Sequence, residues 1–216
     1  MDHRHRSWLA AATAASIVFG WLVAAPARAP SAVMNSDAPP EGRTGAPGEG
    51  TCSSCHGALN DGLGTLTISG IPTAYIPGTK YAVTLGLART GKTRWGFEVT
   101  SLFAAGNAMA GTLEAPSNLT QVLSKASRFY VSHISGSGAD GTFSGTADGP
   151  VSWTFDWTAP AAGGGTVTFY FTGVACDNDG QDSAGDLVYT AAASYTEGSP
   201  IAITPVTWGW IKANYR

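Results

Sequence analysis

The chain has 216 residues and a mass of 22.1 kDa, room for one ordinary domain with appendages rather than two full-sized ones. Charged residues make up 12% of it and the net charge is −3, with no Lys/Arg run. That excludes an electrostatic grip on a phosphate backbone, and so nucleic acid as a partner. The 28 glycines, with abundant Thr, Ser and Ala, suit short strands joined by turns and disfavour long helices.

Residues 1–27 read as an export signal: "MDHRHR" is a basic leader, and "SWLAAATAASIVFGWLVAA" is a continuous apolar run. Ala25 and Ala27 offer a small-x-small cleavage site, and the run is also long enough to serve as an uncleaved anchor. Cleavage removes Arg4, Arg6 and Asp2, leaving a slightly more acidic mature chain. Residues 28–48 are dense in Pro and Gly and lack an apolar period, as in a linker or a wrapped loop. Residues 49–62 carry the string Cys52-Ser-Ser-Cys55-His56.

From residue 63 to 197 the apolar period becomes two. Leu66 and Ile68 share a face, then Tyr81, Val83, Leu85 and Leu87, then Trp95, Phe97, Val99 and Phe103. The only helix-like piece is "SNLTQVLSKA", with Leu119, Val122 and Leu123 in a short stripe. Alternation returns in "RFYVSHI", where Phe129, Val131 and His133 are in phase, in "VSWTFDW", in "TVTFYF" and in "LVYTAAASY". About seven strands separated by turns predict an all-β, Ig-like antiparallel β-sandwich. Trp95, Trp153, Phe155, Phe169 and Phe171 are its predicted core. The tail, 198–216, departs from the pattern with Trp208, Trp210 and Ile211, and reads as an edge strand or as a sorting or docking signal.

Three chemistries use paired cysteines at the spacing of Cys52 and Cys55: a redox disulfide, a thiolate metal site and covalent haem attachment. A thioredoxin-type pair needs a βαβ setting that this sequence lacks. A zinc site needs further ligands at tetrahedral spacing, for which the mature chain offers only Cys176 and His133. Haem attachment needs two thiols for the vinyl groups and the next residue as proximal imidazole, and Cys52, Cys55 and His56 supply all three. Export agrees with it, since c-type attachment occurs outside the cytoplasm. The alternative is a plain Cys52–Cys55 disulfide with His56 adjacent by accident.

His133 is the only other histidine of the mature chain and is the candidate distal iron ligand, with Met109 in "GNAMAG" as its rival. A core histidine satisfied by a backbone carbonyl is the alternative for His133. The acidic cluster Asp177, Asp179, Asp182 and Asp186 invites a calcium reading but lacks the spacing of an EF-hand, so a solvated turn is expected. Cys176 is expected to be buried and inert.

The stretches "TGAPGEGTCSSCHG", "YIPGTKYAVTL", "RWGFEVT", "FYVSHISGSG", "WTFDWTAPAAGGGTVTFYFTG" and "SAGDLVYT" resemble bacterial Reeler-like exported proteins of the choice-of-anchor V type, over about residues 44 to 195. The resemblance implies a Reeler-like sandwich beside one covalent haem c, on a protein of the periplasm, cell surface or extracellular space. Cys52, Cys55 and His56 match its haem string and His133 matches its histidine, whereas Ile134 and the surroundings of Cys176 depart from its pattern. The resulting expectation is a monohaem cytochrome passing single electrons to a redox partner protein at the envelope, with outer-membrane association and homo-oligomers both open. The alternatives are an adhesion or scaffold module with a structural haem, and a haem enzyme or gas sensor with an open sixth position, for which no acid/base machinery is visible near the motif.

Overall fold

The computed structural model describes residues 35–136, 138–182 and 185–199. The expected export signal, residues 1–27, and residues 200–216 of the tail lie outside the described residues. Among the described residues there are twelve strands: β1 (Thr65–Ser69), β2 (Ala74–Tyr75), β3 (Lys80–Ala88), β4 (Arg94–Phe103), β5 (Thr112–Glu114), β6 (Thr120–Lys125), β7 (Arg128–His133), β8 (Ser135–Gly136), β9 (Ala139–Asp140), β10 (Val151–Thr158), β11 (Val167–Cys176) and β12 (Leu187–Glu197). A four-stranded sheet in the order β1-β3-β10-β5 faces a six-stranded sheet in the order β2-β12-β11-β4-β7-β6, and β8 and β9 form a small ribbon. All pairings are antiparallel except β2 on β12.

The period-two pattern explains the sandwich. On β3 and β10, Leu85 lies opposite Trp153 and Val83 opposite Phe155, while Trp95, Phe97 and Val99 of β4 and Phe169 and Phe171 of β11 close on them from the other sheet. All five predicted core aromatics are buried. Burying an indole requires a partner for its N–H, and each of the three buried tryptophans finds one on a loop: Trp95 donates to Thr146 O at 2.9 Å, Trp153 to Gly141 O at 2.7 Å and Trp157 to Ala110 O at 2.9 Å.

Two expectations are corrected. "SNLTQVLSKA" is not helical: Thr120–Lys125 is the edge strand β6, joined to β7 by a tight turn with Ala126 at φ +55°. Its apparent stripe is not a buried face, since Val122 is 40% exposed. Phe129, assigned to the core by phase, is 47% exposed opposite Ser124 beside the β6–β7 turn, whereas Val131, two residues further along β7, is buried in the core.

On β4 every residue from Trp95 to Leu102 is buried. The inward set packs in the sandwich. The outward set, Gly96, Glu98 and Thr100, is buried because the segment from Asn35 to His56 wraps over the outer face.

Candidate functional site

The wrap is built by turn chemistry. Ala46-Pro47-Gly48-Glu49 closes with Glu49 N–H donating to Ala46 O at 2.9 Å, with Gly48 at φ +83°, the positive φ that a type II turn demands at its third position. Thr44 and Thr51 bridge the base of this loop. Its Glu49 carboxylate accepts from Thr44 Oγ1 at 2.6 Å, Tyr130 OH at 2.9 Å and Arg128 Nη1 at 2.5 Å, pinning the loop to β7. Upstream, the amides of Gly42 and Arg43 donate to the two oxygens of Glu98 at 3.3 and 2.5 Å. Burial pushes this carboxyl up to about 8, and the two amide donors offset only part of that.

Thr51 then caps a single 3-10 turn, Cys52–Ser54, its hydroxyl accepting from Ser53 N–H at 3.3 Å. The amides of Cys55 and His56 both donate to Cys52 O, at 3.2 and 3.0 Å, so the C-x-x-C-H string folds back on itself. Cys52 is buried against Val174, Cys176 and Val188 on the outer face, and Cys55 is exposed. Burial, reinforced by Glu98, pushes the Cys52 thiol up to about 12.

Past the string, the chain is stitched to β12: Val188 N–H donates to Ala58 O at 2.9 Å, and Asn60 N–H to Val188 O at 2.7 Å. This brings His56 Nδ1 to 2.6 Å from Asp186 Oδ2. A carboxylate only accepts, so Nδ1 donates the proton, and in the neutral imidazole Nε2 is the nitrogen with the lone pair. The Asp186 side chain is fully buried. Burial alone would raise its carboxyl, but the bonds from His56, the Cys176 thiol and Asp177 N–H together hold it below the usual range. Burial and then Asp186, whose oxygen lies within 4.8 Å of its sulfur, push the Cys176 thiol far up.

His133 closes the opposite side. Strands β4 and β7 pair at Glu98–Ser132 and Val99–Val131 and then part; the His133 ring enters the gap, with Nδ1 3.1 Å from Phe97 N and 3.3 Å from Phe97 O. It lies over Gly96, where a Cβ would come within 2.8 Å of its Cε1. A further bond joins it to the Asn35 backbone, and burial, with Arg94 and His56 adding, lowers its pKa to about 4. The two imidazoles are thus near enough for charge on one to disfavour charge on the other.

Between them lies a cavity of about 210 Å3, lined by Cys52, Cys55 and His56 on one side, His133, Trp95 and Phe97 on another, and the Asn35–Pro40 stretch outside; Arg43, Arg94 and Cys176 also reach it. Met109 is elsewhere: it bridges Leu102 and its sulfur is 3.9 Å from Thr100 Oγ1, packed on the main core. Sequence reasoning missed Asp186 as a site residue. It was grouped with Asp177, Asp179 and Asp182 as a solvated turn, yet those three are exposed or near the surface and Asp186 is buried. Its position directly before the apolar alternation of β12 was the available signal. Cys176 is buried, as anticipated.

No protein-family model and no curated protein matches the chain. Among solved structures it is similar to the human F-spondin reeler domain, with 22% identity, 66% of this chain and 92% of that chain covered, and a TM-score of 0.43. It is also similar to AvmM, described as catalysing macrocyclization in alchivemycin A biosynthesis (14% identity, 68% and 94% covered, TM-score 0.43). A third is a cohesin module of a Clostridium perfringens family 33 glycoside hydrolase (12% identity, 64% and 98% covered, TM-score 0.43). These are likenesses of fold. Among the described residues no helix is long and apolar enough to cross a membrane.

Proposed function

We propose that the chain is an exported monohaem c-type cytochrome that passes single electrons to a redox partner protein at the cell envelope, with the sandwich as a rigid holder. The observation that carries this reading is the convergence of Cys52, Cys55 and His56, on one turn, with His133 on a common cavity. The donor set fits a covalent haem: two thiols to add across two vinyl groups, each forming a C–S bond and passing its hydrogen to the neighbouring vinyl carbon, and one imidazole with Nε2 uncommitted. When bound, the haem supplies a one-electron ferric/ferrous couple.

The remaining chemistry belongs to the chain. Trp95, Phe97 and Val174 give the cavity an apolar wall that limits water, and the Arg43 and Arg94 guanidinium groups can neutralise the propionates. His133 would hold the iron through Nε2 with its proton on Nδ1, donated to Phe97 O, an exchange that gives up the bond Nδ1 now accepts from Phe97 N–H. Beside His56, Asp186 and Cys176 are already committed to each other and to the imidazole, which favours electron transfer over acid/base catalysis.

The visible spectrum of the purified full chain in both oxidation states tests the reading. A low-spin c-type spectrum is expected, and His133→Ala should keep covalent haem while turning the iron high-spin or water-ligated and able to bind carbon monoxide when reduced. An unchanged low-spin spectrum in His133→Ala would remove His133 as ligand. A colourless wild-type chain would remove the cytochrome.

One observation favours a second reading: a His56 ring nitrogen, Cys176 Sγ and an Asp186 oxygen lie within 4.8 Å of one another, as ligands of a small metal ion do. Stoichiometric zinc with no haem on elemental analysis would decide for this alternative.

A further inference from the structure

The Asp186–His56 contact joins residues 130 positions apart. It is held from both sides. On the imidazole side, residues 58–60 are clamped to Val188 by two backbone bonds, and Thr190 N–H donates to Asn60 Oδ1 at 3.1 Å. On the carboxylate side, Asp177 N–H approaches Oδ1 at 3.4 Å, Cys176 Sγ lies within 4.8 Å, and Lys92 Nζ ties down the carbonyl of the preceding Gly185. Fixing the imidazole tautomer would need no more than a backbone carbonyl. A fully buried carboxylate does this and adds something a carbonyl does not: a full negative charge on the far side of the ring, which makes Nε2 a stronger electron donor.

We propose that Asp186 is a positioning residue for the iron ligand His56, holding the Nδ1 proton so that Nε2 is free for iron and lowering the reduction potential of the haem by stabilising the ferric state. This rests on the cytochrome reading above.

The test is the midpoint potential of the full-length holoprotein, made in a cytochrome-maturing host, for wild type, Asp186→Asn and Cys176→Ala. Asp186→Asn replaces the carboxylate by a neutral amide and should favour ferrous iron about tenfold or more, a rise of about 59 mV for one electron. Cys176→Ala alters the packing beside the carboxylate but keeps its charge, and should leave the ferric/ferrous equilibrium within about twofold of wild type. A merely structural role predicts similar shifts for both variants. A haem-loaded Asp186→Asn whose ferric/ferrous equilibrium stays within about twofold of wild type, or whose potential falls below wild type, would overturn the inference while leaving the cytochrome intact. If Asp186→Asn yields no folded holoprotein, Asp186→Ser decides, and an unchanged or lowered potential counts against the proposal. A wild-type chain without haem would overturn both readings together.

Discussion

The two faces of the six-stranded sheet are buried by different means. Its inner face is covered by another sheet, and apolar alternation supplies both sides of the contact: Trp95, Phe97, Val99, Phe169 and Phe171 meet Leu85, Trp153 and Phe155. Its outer face is covered by an irregular segment with no apolar period. There Glu98, Thr100, Thr172 and Asp186 are buried and must each be satisfied by named bonds, to the amides of Gly42 and Arg43, to Phe129 O, to Thr190 and to His56. Among the described residues no buried side-chain nitrogen or oxygen is left without a partner. The inner face makes the protein stable, whereas the outer face, with few apolar contacts and many specific ones, assembles the candidate site.

Four substitutions sharpen this contrast. Trp153→Ala on the inner face removes a fully buried indole and should cost about 3–5 kcal/mol in denaturant unfolding. Glu98 tests the outer face through pH. The folded state holds its proton up to about 8, while the unfolded chain releases it near 4.5. Its contribution is therefore fully present below 4.5 and is lost as pH rises through 8, with a slope approaching about 1.4 kcal/mol per pH unit inside that window. Glu98→Gln should flatten the stability profile between those limits, and an unchanged slope would contradict the assignment. Gly96→Ala puts a methyl 2.8 Å from His133 Cε1 and 3.0 Å from Val174 Cγ1, and should cost about 1–3 kcal/mol in the same unfolding assay while displacing the imidazole. Phe129→Ser, beside the β6–β7 turn, should stay within about 0.5 kcal/mol of wild type. A loss comparable to that of Trp153→Ala would return Phe129 to the core.

The inner face was legible in the sequence because burial between two sheets imposes a period of two. All seven strands read from alternation exist; the others are β2, β5, β8 and β9, each of three residues or fewer, and the edge strand β6. Periodicity misleads at β6, where Leu119, Val122 and Leu123 mimic a helical stripe, and at Phe129, which keeps the phase of Val131 but sits beside the β6–β7 turn and is exposed. The cysteine string was legible because its chemistry is local. Asp186 was not, since its role depends on a contact across 130 residues that no local pattern encodes. Scarcity singles out His133 as a candidate, but its insertion between β4 and β7, with Gly96 making room, follows from strand pairing alone.

The central claim is that the C-x-x-C-H turn carries a covalent haem, and the intact mass of the secreted chain under denaturing conditions tests it most directly. Made in a cytochrome-maturing host, the wild-type chain should show the mature polypeptide plus one haem, retained after unfolding, and Cys52→Ala/Cys55→Ala should show the polypeptide alone. A wild-type mass equal to the polypeptide, with or without a Cys52–Cys55 disulfide, would contradict the account.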